Sequence, residues 1–225
     1  MKLPISKRLL ACSRFISPGQ LVADVGTDHG YLPIYLLREK GAAWVYAGDI
    51  GEKPLQKARD NAARFGVTDR ISFYCCSGVE GLPRDFDVLV MAGMGAETMV
   101  SILRAAPWLR DDRYRLVLQC QSSQNELRLY LSENGWTIRR EEPVRDGHFL
   151  YTVMEALRGD APLTPGQHFV PPALRGSSMA EEYRQFCIRT VENVACALRD
   201  QGGEKYEYYS TALKELEEMG DRSCV

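Results

Sequence analysis

The sequence predicts an α/β fold on a mostly parallel sheet, with an antiparallel helical hairpin at its C-terminal end. Three observations predict it. Over the first two-thirds of the chain, short apolar runs alternate with amphipathic stretches at helical spacing, which implies right-handed βαβ units. Gly41, Gly66 and Gly135 stop three of the helical stretches, as glycine does just past a helix end. Beyond residue 178, two helical patterns flank Gln201-Gly202-Gly203, and so short a turn packs two helices antiparallel.

In order, the apolar run at 21–25 is the first strand and 31–40 the first long helix. Strand 44–48, helix 53–65, strands 71–76 and 86–92, helix 96–106, strand 114–119 and helix 125–134 follow. The pattern then changes. Two strands, 136–142 and 149–155, meet across Arg145-Asp146-Gly147, a hairpin-type turn, which places one antiparallel strand at or near the sheet edge. Residues 157–178 carry Gly159, Pro162, Pro165, Gly166, Pro171, Pro172 and Gly176 and read as a connector. The final helices run from 179 to about 199 and from 204 to about 219. Tyr183, Phe186, Cys187, Val191, Val194 and Leu198 recur at three- and four-residue steps, as do Tyr206, Tyr209, Leu213 and Leu216, which predicts a helix–helix seam. The expected division is 1–156, 157–178 and 179–225.

Composition narrows the function class. The 225 residues are 45% hydrophobic and 26% charged, with a net charge of −2, which excludes a disordered chain. No apolar run reaches about 18 residues, the length of a membrane span. Lys7, Arg8, Ser13 and Arg14 interrupt the N-terminal segment and argue against a signal peptide. Seven scattered cysteines without a CxxC spacing support neither a disulfide framework nor a metal site, so a reducing, cytoplasmic setting is expected. Charge divides unevenly: residues 1–156 hold 20 Lys/Arg and 19 Asp/Glu, residues 157–225 hold 8 and 11. A modest basic cluster at Lys2, Lys7, Arg8 and Arg14 is masked by an acidic appendage, so any nucleic-acid affinity is expected to be modest, salt-sensitive and concentrated at the N-terminal helix.

The chemistry points to Asp24-Val25-Gly26-Thr27-Asp28-His29-Gly30-Tyr31-Leu32, between the first strand and the first long helix. Glycine lets backbone approach a ligand there, and the helix start offers free N–H groups. Asp49 ends the second strand, placed to accept hydrogen bonds from two ribose hydroxyls. A dinucleotide fingerprint GxGxxG would put glycine where Asp28 stands. A carboxylate repels a pyrophosphate but tolerates a phosphate-free, cationic cofactor, and S-adenosyl-L-methionine fits that description.

Ser6-Lys7-Arg8-Leu9, Asp24-Val25-Gly26-Thr27-Asp28-His29-Gly30-Tyr31-Leu32-Pro33, Ala47-Gly48-Asp49-Ile50 and Ala92-Gly93-Met94-Gly95 occur in that order. Together they resemble the bacterial TrmK family of tRNA (adenine-N1)-methyltransferases acting on adenosine 22, over roughly residues 5–156. The resemblance implies the class I S-adenosylmethionine-dependent methyltransferase fold, a seven-stranded sheet with its final strand antiparallel, and a coiled-coil-like C-terminal hairpin. It implies that Asp24, Gly26 and Gly30 line the methionine side of the cofactor and that Asp49 holds the ribose. Ile50, Ser77 and Gly93 count to the cofactor site as well. Arg8, Tyr31, Met94 and Gly95 are the expected substrate contacts, and no metal is expected. Three positions depart from the family pattern: Ser77 replaces an acid after the third strand, Gln121 in Leu118-Gln119-Cys120-Gln121 lacks the preceding proline, and Ala96 replaces a glycine.

Adenine N1 carries a lone pair, so its methylation is mainly a matter of positioning, and a paired N1 must first be exposed. Asp28 is the expected catalytic residue, accepting from the N6 amino group and stabilising the cationic product. The opposing reading of Asp28 is an acid satisfying free N–H groups at the helix start. His29 is expected as a buried histidine shaping the loop, and His148 and His168 as surface residues. The expected partner is tRNA, with a monomer favoured. Two rivals remain: another class I methyltransferase with a small-molecule or protein substrate, and an RNA-binding module without catalysis. Label transfer to RNA separates the first, and binding of S-adenosylmethionine the second.

Overall fold

The computed structural model describes residues 3–174 and 178–221; Lys2, Gly176 and the last four positions lie outside the described residues. Strands β1 (Leu21–Val25), β2 (Trp44–Asp49), β3 (Ile71–Cys75), β4 (Val88–Met94), β5 (Arg115–Cys120), β6 (Trp136–Asp146) and β7 (Phe149–Arg158) form one sheet in the order β3-β2-β1-β4-β5-β7-β6. The first five run parallel. The hairpin inserts β7 antiparallel between β5 and the edge strand β6. Its strands are longer than the sequence suggests, and the turn is Gly147-His148, with Asp146 opposite Phe149.

Helices α1 (Lys7–Ser13), α2 (Tyr31–Glu39), α3 (Glu52–Phe65), α4 (Ala96–Ala105) and α5 (Gln124–Glu133) cover the sheet, and α6 (Ala180–Leu198) and α7 (Gly203–Asp221) follow it. Both sheet faces are buried, so the central strands are apolar throughout rather than alternating with polar residues. Within β4 the alternation survives as a choice of face. Leu89 and Met91 join Met99 of α4 and Leu127 of α5 in one core. Val88 and Val90 join Cys12 and Phe15 near α1, Leu36 of α2 and Ala62 of α3 in the other.

A third cluster lies between α6 and α7, with Tyr183, Cys187, Val191, Ala212 and Leu216 buried. Phe169 and Leu174 of the connector fill its side, so that proline-rich segment is packed. Two expectations fail here. His168 is 4% exposed, with Nδ1 3.1 Å from the Tyr208 hydroxyl, because the connector folds back under α7. Burial pushes its pKa down. Phe186 leaves the expected seam and is 43% exposed.

Candidate functional site

The sheet order reverses at β1, which has β2 on one side and β4 on the other. In open α/β sheets the ligand crevice lies beyond the carboxyl ends of the strands at such a switch point. Asp24, Gly26, Asp28, Asp49, Gly93 and Met94 all come from the carboxyl ends of β1, β2 and β4 or from the loops after them.

The loop after β1 is held by β2. The N–H groups of Gly26 and Thr27 both donate to the Gly48 carbonyl, at 2.8 and 3.1 Å. Asp49 fastens the same loop, its Oδ2 accepting from the Asp28 N–H at 3.2 Å and its Oδ1 from the Gly51 N–H at 2.9 Å. Glycine suits position 26 chiefly through its backbone. Its φ is +79°, and an added Cβ would lie 2.3 Å from Cε of Met94, which reaches across from β4.

Asp28 also has positive φ, at 45°, a conformation that Asp tolerates better than most residues. The turn projects its carboxylate outward, 64% exposed, with Oδ2 3.6 Å from Nε2 of His29. His29 is therefore not the buried residue expected: its ring is 38% exposed and stacks on Tyr31, with centroids 5.4 Å apart. Gly30 is buried, and an added Cβ would lie 3.0 Å from Cβ of Ala58. Its glycine is therefore accounted for by the approach of α2 to α3.

Asp24 is 4% exposed. Burial raises its pKa to about 6, the Thr27 hydroxyl partly offsetting that rise and Asp49 adding to it. At neutral pH it is a desolvated anion, a place suited to a cationic group. At the other end of the crevice Ile50 is 79% exposed, an apolar face directly after Asp49. The end of β3 sits against it: the Cys76 N–H donates to the Asp49 carbonyl at 3.0 Å, and exposed Ser77 follows.

Sequence reasoning did not assign a role to Gln119. The β4–β5 register shifts between Ala92 and Met94, a bulge at Gly93, where φ is +85°. Bulges of this kind re-aim the chain beside functional sites. Oε1 of fully buried Gln119 accepts from the Gly93 N–H at 3.1 Å and from Nη1 of Arg8 at 3.0 Å. Nε of Arg8 also lies 3.8 Å from Asp146 at the hairpin tip. Gly95 begins α4 against the loop after β5, and an added Cβ there would lie 2.9 Å from Oγ of Ser122. The expected basic cluster is thus partly engaged, since Arg14 also pairs with Glu142 at 3.4 Å. Exposed Lys7 makes no ion pair among the described residues.

A second polar centre was likewise missed. Arg128 of α5 and Glu141 of β6 are both buried, with Nη2 2.5 Å and Nε 3.2 Å from the Glu141 carboxylate. The same guanidinium reaches the His168 carbonyl at 2.8 Å and the Tyr183 hydroxyl at 3.0 Å. The Tyr183 hydroxyl donates to Oε1 of Gln124 at 2.6 Å. This network ties α6 to the helix that follows the loop after β5.

No helix of the described residues is long and apolar enough to cross a membrane, and no group of three or more His, Cys, Asp or Glu among them could hold a metal. Residues 5–154 match the methyltransferase-domain family model. The tRNA (adenine(22)-N(1))-methyltransferase of Bacillus subtilis is 29% identical over 160 residues, 71% of this chain and 67% of that protein. A crystal structure of a Streptococcus pneumoniae protein, provisionally named a tRNA (m1A22) methyltransferase, is 26% identical with a TM-score of 0.78, covering 93% of this chain and 99% of that one. The crystal structure of Bacillus subtilis TrmK superposes with a TM-score of 0.82 at 23% identity, over 96% and 99% of the two chains, and shares the fold. With the family model covering well over half of its length, the chain belongs to the methyltransferase-domain family, and it is similar to the TrmK proteins.

Proposed function

We propose that the protein methylates N1 of adenine in tRNA from S-adenosyl-L-methionine, at adenosine 22 as in the Bacillus subtilis relative. One observation carries the reading: at the switch point of the sheet the carboxylates of Asp24 and Asp49 stand beside the exposed Asp28 carboxylate, a setting that favours a cationic cofactor over a pyrophosphate. The residues present fit the cofactor. Asp24 offers a buried anion to its cationic methionine portion. Asp49, fixed by two backbone N–H groups, keeps lone pairs for ribose hydroxyls. Ile50 offers an apolar face to the adenine, with the Ser77 hydroxyl nearby.

When bound, S-adenosylmethionine supplies an electrophilic methyl group. The chain's own task is to hold adenine N1 in line with it. The Gly93-Met94-Gly95 turn, pinned by Gln119 and Arg8, borders the position of the base, and Tyr31 stands at the start of the adjoining helix. Asp28 accepts a hydrogen bond from the N6 amino group, which favours the positive charge gained by the ring. A tRNA substrate agrees with a cytoplasmic setting.

Incubation with unmodified bulk tRNA and labelled S-adenosylmethionine, followed by nucleoside mapping, is expected to yield 1-methyladenosine. Label in protein or a small molecule, with none in RNA, would overturn the proposal.

Two further outcomes are expected. Gly26→Ala places a methyl group against Met94 at positive φ; calorimetry should show S-adenosylmethionine binding weakened at least about tenfold, since a strained residue and a displaced side chain together cost about 1–3 kcal/mol. The second concerns Asp24. Its folded pKa, about 6, lies above the ordinary value of 3.8, so the folded state binds the proton more tightly. Stability therefore falls as pH rises through the window from about 4 to about 6, by about 2–3 kcal/mol. Asp24→Asn should flatten that part of the melting-temperature profile. In the parent, cofactor affinity should fall below pH 6 as Asp24 takes up its proton. An unchanged profile in the variant would remove Asp24 as the titrating group.

A further inference from the structure

A cleft of about 430 Å³ opens between the loop after β5, the tip of the β6–β7 hairpin and α6. Its volume falls within the usual range for ligand clefts. Its lining includes none of Asp24, Gly26, Asp28, Asp49 or Gly93. Gln121 lines the cleft, and its Nε2 lies 3.7 Å from where a Cβ on Gly93 would sit.

Phe149 from the hairpin tip and Phe186 from α6 both line this cleft. With Ile50 they are the large hydrophobic residues left exposed among the described residues, Phe149 at 66% and Phe186 at 43%. Each ring is backed by a tyrosine. Phe149 lies against Tyr151 with centroids 5.9 Å apart, and Phe186 lies against buried Tyr183 at 6.3 Å. Each ring therefore packs on one side and presents its exposed area to the cleft.

The charge of the lining runs against that of the chain. Arg145, Arg189 and His148 face it with Glu182 as the acid. Glu182 pairs with Arg145, and Arg128 is neutralised by Glu141. Arg189 has no ion-pair partner among the described residues. An exposed cation beside exposed aromatic faces, in a chain whose net charge is −2, is the combination that binds unpaired nucleotides.

We propose that this cleft holds an unpaired nucleotide of the RNA substrate, next to the adenosine being methylated. Its base stacks on Phe149 or Phe186, and its phosphate meets Arg189. The inference rests on the tRNA reading above. It adds a reason for α6 to stand where it does: the appendage supplies one wall of a substrate site whose other wall is the methyltransferase core.

The test measures binding of an unmodified tRNA transcript to the full chain by fluorescence anisotropy. Phe149→Ala and Phe186→Ala should each weaken binding about tenfold, with S-adenosylmethionine affinity and melting temperature unchanged. Phe149→Trp should retain the affinity, and Phe149→Leu should lose it. Arg189→Gln should lower the salt-dependence slope by about one.

Affinity of the double alanine variant within twofold of the parent would overturn the proposal. So would leucine serving as well as tryptophan, which would mark an apolar contact such as a protein segment. The two readings fail separately. A parent that methylates tRNA while the variants bind it normally loses only the cleft assignment. A parent that binds tRNA through these rings but puts no label into RNA loses only the methylation reading.

Discussion

Asp28→Asn should lower the rate of methyl transfer to tRNA about 100-fold, the scale of removing one well-placed electrostatic contact to a developing charge. The affinities for tRNA and S-adenosylmethionine should stay within about threefold. Asparagine is the informative replacement, because Asp28 sits at φ 45° and asparagine accepts that conformation as aspartate does. The backbone N–H would keep its bond to Asp49. Only the negative charge is lost, and with it the preference for a cationic product. Asp28→Gly should show the same rate loss with a fully relaxed backbone. Alanine adds strain at positive φ, so a loss seen in alanine alone would assign the residue to loop geometry. A kcat for Asp28→Asn within threefold of the parent would remove the catalytic role.

Arg128→Met should destabilise the protein by about 3–5 kcal/mol, the cost of leaving one partner of a buried ion pair alone. In a chain of this size that lowers the melting temperature by about 10 °C. The charge left behind is Glu141, 2% exposed. Arg128→Met with Glu141→Leu should recover most of the loss, because a matched apolar pair of similar volume has no charge to desolvate. The single variant should also free Tyr183 and Gln124, and therefore disturb the loop after β5. A drop of less than about 2 °C in the single variant would show that the network does not hold α6 to the core.

Asp24, Gly26, Asp28 and Asp49 were legible as a group because each depends on neighbours a few positions away. A glycine and an acid between an apolar run and a helix define a βα loop, and a second acid at the next strand end faces it. Gly30 was legible as a glycine, and the structure adds a steric reason that the sequence did not show, the close approach of Ala58 from the next helix. Gln119 lay in plain view at the end of an apolar run. Its importance comes from a bulge at Gly93 on a different strand, and no local pattern announces that bulge. Arg128, between Leu127 and Leu129, reads as an ordinary solvated position on an amphipathic helix. Its burial follows from strands and a connector that arrive later in the chain.

The sequence by itself determined the order and type of the elements, the hairpin that closes the sheet, the two appended helices and the strand ends that carry the crevice. Those follow from periodicity and turn chemistry, which are local. Only the tertiary structure decided which charges are free. Counting residues treated Arg8 and Arg14 as an exposed basic cluster. Folding brings Arg8 to Gln119, 111 residues away, and Arg14 to Glu142, 128 residues away. It also buries Arg128 and leaves Arg189 in the open beside two exposed rings. The strength of a charge depends on what desolvates and neutralises it, and those neighbours are set by packing between distant segments.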